Sequence, residues 1–308
     1  MACSPPPPLT FSYQTVKRGR STHTYFADLY LPPQSDGGDT AGAPHTPMVV
    51  YFHSGGLTAG SRKLNSWFPF WLIGKYMNVR TQAILLRTNI NLERIGVVGE
   101  SAGGYLALLS ATQVQPPPAC LGILYGMGGD FLTDHYVLIK TSRFSFWIPY
   151  LDDPSPFAVL DDTPEDGPVV SESSTEDGDP RVSYFTWLVQ QATFLDALTG
   201  QPGLGKELSA LAYPKRVLRI KGSDVAPLFP QCNINESTPP TYLIHGQADT
   251  AVLVEESRRT IEALEQNSVA HCIDELPGVE HGFDWGPSKY PRHPSLTRLI
   301  LGVRGLGG

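Results

Sequence analysis

Apolar and polar positions follow two periods along this chain. Leu9–Val16 and Thr22–Leu31 are rich in β-branched and aromatic residues, and Lys17-Arg18-Gly19-Arg20 between them predicts the turn of a hairpin. Met48–Phe52, Arg94–Val98, Cys120–Gly126, Pro239–Ile244 and Ala270–Leu276 are short apolar runs of the kind that strands buried on both faces show. Helical spacing appears from Tyr105 onward, over Thr81–Thr88, over Arg181–Thr199 and over Val254–Glu265. In Arg181–Thr199 the apolar residues are Tyr184, Phe185, Leu188, Phe194, Leu195 and Leu198, and Gly200-Gln201-Pro202 ends the run. Strands alternating with helices predict an α/β fold, with a mostly parallel central sheet and helices on both faces.

Two segments break the alternation. Residues 57–94 open with a loop and an aromatic stretch, Trp67-Phe68-Pro69-Phe70-Trp71-Leu72. A crossover carrying two helices and a strand needs about 43 residues, so this segment is short by roughly one strand. From Asp152 to Asp179 acidic residues are mixed with Pro, Gly and Ser without periodicity, which predicts a mobile, solvated acidic loop over 152–180.

Composition narrows the partners. A chain of 308 residues with 41% hydrophobic content has enough apolar side chain for one sizeable α/β domain over 1–308. A net charge of −7 and no basic run argue against nucleic acid or an anionic membrane and for a neutral small molecule. Cys3, Cys120, Cys232 and Cys272 are scattered, as reduced thiols are, and no histidine pair has metal-ligand spacing, so neither a metal nor a cofactor is expected. The proline-rich start has no basic, apolar leader and no run reaches membrane length, so a soluble, cytoplasmic protein without a transmembrane segment is expected. Asn235-Glu236-Ser237 matters only in a secreted protein, and Gly203-Leu204-Gly205-Lys206 lacks the rest of a nucleotide-binding pattern.

The candidate chemistry sits where strands end. Gly99-Glu100-Ser101-Ala102-Gly103 joins a strand to a helix, a context that forces the central serine into a strained turn and presents Ser101 as a nucleophile. The Ala102 N–H, at the positive end of the following helix, faces the space beside that hydroxyl. His53-Ser54-Gly55-Gly56 follows another buried strand and reads either as a plain glycine turn or as a loop whose Gly55 and Gly56 N–H groups meet a ligand oxygen; His53 itself reads as structural. Asp249 and His281 occupy loops just past the last two strands. In an open parallel sheet such loops meet in one crevice, so Ser101, Asp249 and His281 can converge. A serine hydroxyl attacks a carbonyl well only when an imidazole takes its proton and a carboxylate holds that imidazole.

These motifs, in this order, resemble the hormone-sensitive-lipase-like esterases of the α/β-hydrolase fold, the fold-3 branch with many fungal members, and the likeness covers nearly the whole chain. His53–Gly56 resembles that family's HGGG motif, Gly99–Gly104 its nucleophile motif, His245–Asp249 its acid motif and Glu280–Phe283 its histidine motif. The resemblance implies a carboxylic-ester hydrolase acting on small molecules. Ser101 would be the nucleophile, His281 the base, Asp249 the orienting acid, and Gly55, Gly56 and Ala102 the oxyanion-hole donors. It also implies that residues 131–227 form a variable cap. Two departures stand out: Ser54 replaces the first glycine of the triplet, and the Tyr-Arg-Leu-like strand expected before Ser101 is missing, which predicts a sheet lacking one internal strand. A non-catalytic binding or interaction protein on the same fold, and a shortened product with impaired activity, are the alternatives.

Overall fold

The computed structural model describes residues 8–19, 21–30, 46–62, 90–145, 148–161 and 179–284. The opening hairpin is β1 (Leu9–Arg18) and β2 (Ser21–Leu29), antiparallel from Leu9 opposite Leu29 to Arg18 opposite Ser21. Its turn is tighter than the sequence suggests, because Gly19 takes a φ of 55°. The central sheet is β3 (Thr46–Phe52), β4 (Ile90–Glu100), β5 (Cys120–Leu124), β6 (Thr241–Gly246) and β7 (His271–Leu276), in that spatial order and parallel throughout. Parallel neighbours need crossovers, and helices supply two of them: α1 (Ala102–Gln113) between β4 and β5, and α8 (Val254–Gln266) between β6 and β7.

Side chains alternate between two buried layers, as the two-residue period of a strand requires. Val97, Leu121, Ile123 and Leu243 pack beneath α1 and α8 against Ala107, Leu108, Ala111 and Leu264. Val98, Leu124, Tyr242 and Ile244 face the other way, with Leu276, Val279 and Phe283. Both faces of the sheet are therefore apolar, which is why its strands read as continuous runs.

Packing moved several boundaries. β4 extends through Gly99 and Glu100, and α1 starts at Ala102, ahead of the helical pattern that begins at Tyr105. Glycine is a poor helix former, but here close approach outweighs propensity. A Cβ on Gly103 would lie 2.1 Å from the Phe52 carbonyl oxygen and 2.8 Å from that of His53. Both are backbone atoms that cannot swing aside. We expect Gly103→Ala to cost about 1–3 kcal/mol by overpacking, a fall of several degrees in Tm. Thermal unfolding followed by circular dichroism checks this, and an unchanged midpoint would show that α1 and β3 can part at no cost. β5 stops at Leu124 because Tyr125 takes a φ of 35°. The apolar stripe of 181–199 is interrupted at Ala192, φ 56°, and becomes α4 (Pro180–Gln190) and α5 (Phe194–Thr199).

Residues 131–227 also carry α2 (Asp134–Val137), α3 (Ser155–Asp161), α6 (Leu204–Ser209) and α7 (Tyr213–Lys221). Helix α3 lies inside the acidic stretch whose sequence shows no periodicity, and at its start the Asp153 carboxylate accepts from the Ser155 N–H and hydroxyl. The remainder, 162–178, lies outside the described residues. Phe131, Tyr136, Leu188, Phe194, Leu195, Leu204, Leu208 and Ile220 form one core with Ala102 and Tyr105 of α1. The buried Arg216 pins this region, giving N–H bonds to the Leu208, Leu211 and Leu132 carbonyls and the Asp134 carboxylate.

The helix expected at Thr81–Thr88, and most of the segment expected to be short of a strand, fall on 63–89, outside the described residues. Among the described residues the hairpin shares no ladder with the central sheet, and β3 is an end strand of it. The Arg62 guanidinium meets Asp28 at 3.0 Å, joining β2 to the loop after β3. Among the described residues no helix is long and apolar enough to cross a membrane.

Candidate active site

Three strand ends assemble this site. Ser101 stands between β4 and α1 with φ 50° and ψ −118°, a left-handed backbone that few non-glycine residues adopt. Surrounding bonds hold it there: its N–H donates to the Leu124 carbonyl at 2.9 Å, and its carbonyl accepts from Gly104 at 2.9 Å and Met127 at 3.0 Å. A Cβ on Gly99 would lie 2.0 Å from the Gly103 carbonyl oxygen, so the turn can close this tightly only with glycine there.

β6 ends at Gly246 and delivers Asp249; β7 ends at Leu276 and delivers His281. The structure brings these residues to Ser101 although they are far apart in sequence. The Ser101 hydroxyl lies 2.9 Å from His281 Nε2, and His281 Nδ1 lies 2.7 Å from Asp249 Oδ2. Ser101, Asp249 and His281 are 5%, 4% and 9% exposed, so the chain of hydrogen bonds is shielded from water. Asp249 accepts at both oxygens. Oδ1 takes the Ala251 and Val252 N–H groups at 2.9 Å each, and Oδ2 takes the ring N–H of His281 together with that of His245 at 3.1 Å. Burial pushes the Asp249 carboxyl pKa up, but His281 and His245 outweigh it and hold the carboxyl well below the usual carboxylate range.

His245 is a partner that sequence reasoning left without a role. Its Nε2 faces two acceptors, Asp249 Oδ2 and the Val252 carbonyl at 2.9 Å, and so carries the proton; Nδ1 accepts from the Ser257 hydroxyl at 2.7 Å. The four-residue spacing to Asp249 was a visible signal, but the direction of the ring was not. Asp284, close to His281 in sequence, takes the Tyr125 hydroxyl, and Asp274 takes that of Tyr242 at 2.7 Å, while His281 Nδ1 is engaged by Asp249.

The loop after β3 begins beside the Ser101 turn, since Gly103 packs against the Phe52 and His53 carbonyls. Gly55 and Gly56 have φ values of 119° and 62°, and the Gly55 carbonyl accepts from Thr58 and Ala59. Among the described residues no acceptor takes the N–H of Gly55, Gly56 or Ala102. Side chains are excluded at both glycines, because a Cβ would meet the Ala59 carbonyl oxygen at 2.0 Å or Phe185 at 2.4 Å. Phe185 thus brings α4 onto this loop, and the Thr58 hydroxyl donates to the Arg181 carbonyl at 2.9 Å. Ser54 is 3% exposed, and its hydroxyl has no partner among the described residues. His53 Nδ1 contacts the Ser54 carbonyl at 2.6 Å, consistent with a structural role.

No family model matches this chain. Among curated proteins, the non-reducing polyketide synthase Preu3 of Preussia isomera is 27% identical over 217 residues, which are 65% of this chain. The chain spans 8% of the length of that relative. Solved structures match it more fully. A thermophilic esterase, Est2, of Thermogutta terrifontis is 15% identical, with a TM-score of 0.56 and 98% of this chain and 93% of that one covered. The carboxylesterase Cest-2923 of Lactobacillus plantarum is 14% identical, with a TM-score of 0.53 and coverages of 97% and 98%. An acetyl ester-xyloside bifunctional hydrolase of Caldicellulosiruptor lactoaceticus is 19% identical, with a TM-score of 0.51 and coverages of 93% and 90%. At these identities the likeness concerns architecture, and together with the parallel sheet flanked by helices it establishes that this chain has the α/β-hydrolase fold.

Proposed function

We propose that this protein hydrolyses carboxylic esters of small molecules through a serine acyl-enzyme, as a hormone-sensitive-lipase-like esterase does. The observation that carries the reading is the unbroken run from the Ser101 hydroxyl through His281 to Asp249, at 2.9 and 2.7 Å. His281 takes the Ser101 proton as the oxygen attacks the ester carbonyl, and the Asp249 carboxylate stabilises the imidazolium that forms. Negative charge then grows on the carbonyl oxygen, where the N–H groups of Gly55, Gly56 and Ala102 receive it. His281 returns the proton to the departing alcohol. Water repeats the sequence on the acyl-enzyme and releases the acid.

Residues 131–227 act in this reading as the cap, with Phe185 as a wall beside the Gly55–Gly56 loop. The Thermogutta terrifontis esterase and the Lactobacillus plantarum carboxylesterase, which share the fold, support the same chemistry. A binding protein on the same fold has no use for a serine aimed at a carboxylate-paired imidazole. Turnover of a short-chain aryl ester, with labelling by a serine-directed phosphonate, decides between them. We expect turnover and a covalent adduct on Ser101; an inert protein that the phosphonate does not modify would leave the binding reading.

A further inference from the structure

Beneath the proposed nucleophile and base lies a second cluster that the ester chemistry does not use. Glu100 ends β4 immediately before Ser101, Tyr125 follows β5, and Asp284 lies in the loop that carries His281. They are 2%, 0% and 2% exposed. The Tyr125 oxygen contacts Glu100 Oε2 at 3.0 Å and, more closely, Asp284 Oδ1. Its ring meets the His281 ring edge-on at 4.6 Å and that of Phe283 at 5.2 Å. Glu100 Oε1 faces the Ser54 N–H at 3.4 Å, at the start of the Gly55–Gly56 loop. One buried cluster thus touches all three segments that bring the proposed catalytic groups together.

The protons available to these three groups decide what holds the cluster together. A phenol has one hydrogen to give, and an ionised carboxylate has none. Two carboxylates converge on the Tyr125 oxygen, so a single hydroxyl proton satisfies one contact and leaves the other as a repulsion between lone pairs. Ionising both acids would also place two like charges in a buried site. Asp284 Oδ2 is buried and has no partner among the described residues, an arrangement that suits a neutral carboxyl far better than a charged one. One proton beyond the phenol's own is therefore required.

We propose that Glu100, Tyr125 and Asp284 share two protons and act as positioning residues, fastening the His281 loop to the Ser101 turn until alkaline pH removes the extra proton and drives the two carboxylates apart. The proposal rests on the esterase reading for its effect on turnover, but not for the shared proton itself. The groups that face the cluster are Glu100 from β4, Tyr125 from beyond β5, the His281 ring and, toward the Tyr125 hydroxyl, Tyr51 of β3. Burial, reinforced by the charge on Glu100, pushes the Asp284 carboxyl up to about 8. The cluster is thus intact at neutral pH and lost as pH rises through that value.

The test has two readouts on the full chain. Infrared spectra recorded against pH should show the carbonyl stretch of a buried, protonated carboxylic acid at neutral pH, fading as pH rises through about 8. Asp284→Asn and Glu100→Gln should each diminish that band, since either amide breaks the carboxyl pair, while Glu256, a buried carboxyl outside the cluster that burial also pushes up to about 8, keeps its own share of it in every variant; two variants guard against one that fails to fold. In ester turnover the parent's kcat should decline over the same pH range. Asp284→Asn, which cannot ionise, should lack that decline. At neutral pH Asp284→Ala should have a kcat about tenfold below that of Asp284→Asn with the same KM, because only the amide keeps a hydrogen bond to Tyr125. Absence of the band from the parent protein, or a band undiminished in both amide variants, overturns the shared proton whatever the activity. An unaltered alkaline decline in Asp284→Asn overturns the positioning role. A parent protein whose band diminishes in the amide variants yet which turns over no ester counts against the esterase reading and leaves the shared proton standing.

Discussion

Ser101→Ala is expected to lower ester turnover by about 10⁶-fold, the scale on which triad enzymes lose kcat without their nucleophile, while the melting temperature stays within a few degrees. The two halves of this result have separate causes. Alanine keeps the Cβ that the φ of 50° already accommodates, and the bonds that hold the turn, Ser101 N–H to Leu124 and Gly104 and Met127 to the Ser101 carbonyl, are all main-chain. Only the hydroxyl that meets His281 Nε2 is lost. Steady-state kinetics beside a thermal melt measure both. Turnover equal to the parent's would remove Ser101 from the chemistry, and a collapsed melt would show that its hydroxyl holds the fold.

Asp249→Asn is expected to cost about 10⁴-fold in kcat, although it changes no volume, because it alters the tautomer of His281. Asp249 Oδ1 is claimed by the N–H groups of Ala251 and Val252, so an asparagine must keep its oxygen there and turn its NH₂ toward the histidines. Both His245 Nε2 and His281 Nδ1 then face a donor. His281 can escape only by moving its proton to Nε2, where it points at Ser101 and can no longer accept. His281→Ala should lose still more, since it removes the proton carrier itself. A larger loss from Asp284→Asn than from Asp249→Asn would show that the orienting acid had been misassigned. The same carboxylate leaves a mark on stability. Its folded pKa is depressed, so its contribution is present above the unfolded value of about 3.9 and is lost as pH falls below it. Acid unfolding of the parent should therefore be steeper than that of Asp249→Asn.

The strands, the glycine-marked turns and the order of the motif residues are legible in the chain before it folds. Each of those depends on neighbours a few positions away: apolar runs such as Cys120–Leu124 are read locally, and Gly99 and Gly103 flank Ser101 within one turn. Which groups lie beside one another is set by packing between distant segments. The start of α1 at Ala102 depends on Gly103 meeting the end of β3, against the low helix propensity of its two glycines. The break at Ala192 interrupts a stripe whose spacing reads as one helix. The His245 ring on Asp249, and the Tyr125 hydroxyl between Glu100 and Asp284, depend on contacts made after the sheet has closed, the Tyr125–Asp284 pair across 159 residues. Hydrophobic period records which face of an element is buried. It does not record which polar atoms from other strand ends arrive at that face, because their geometry is set by packing and leaves no period in the chain.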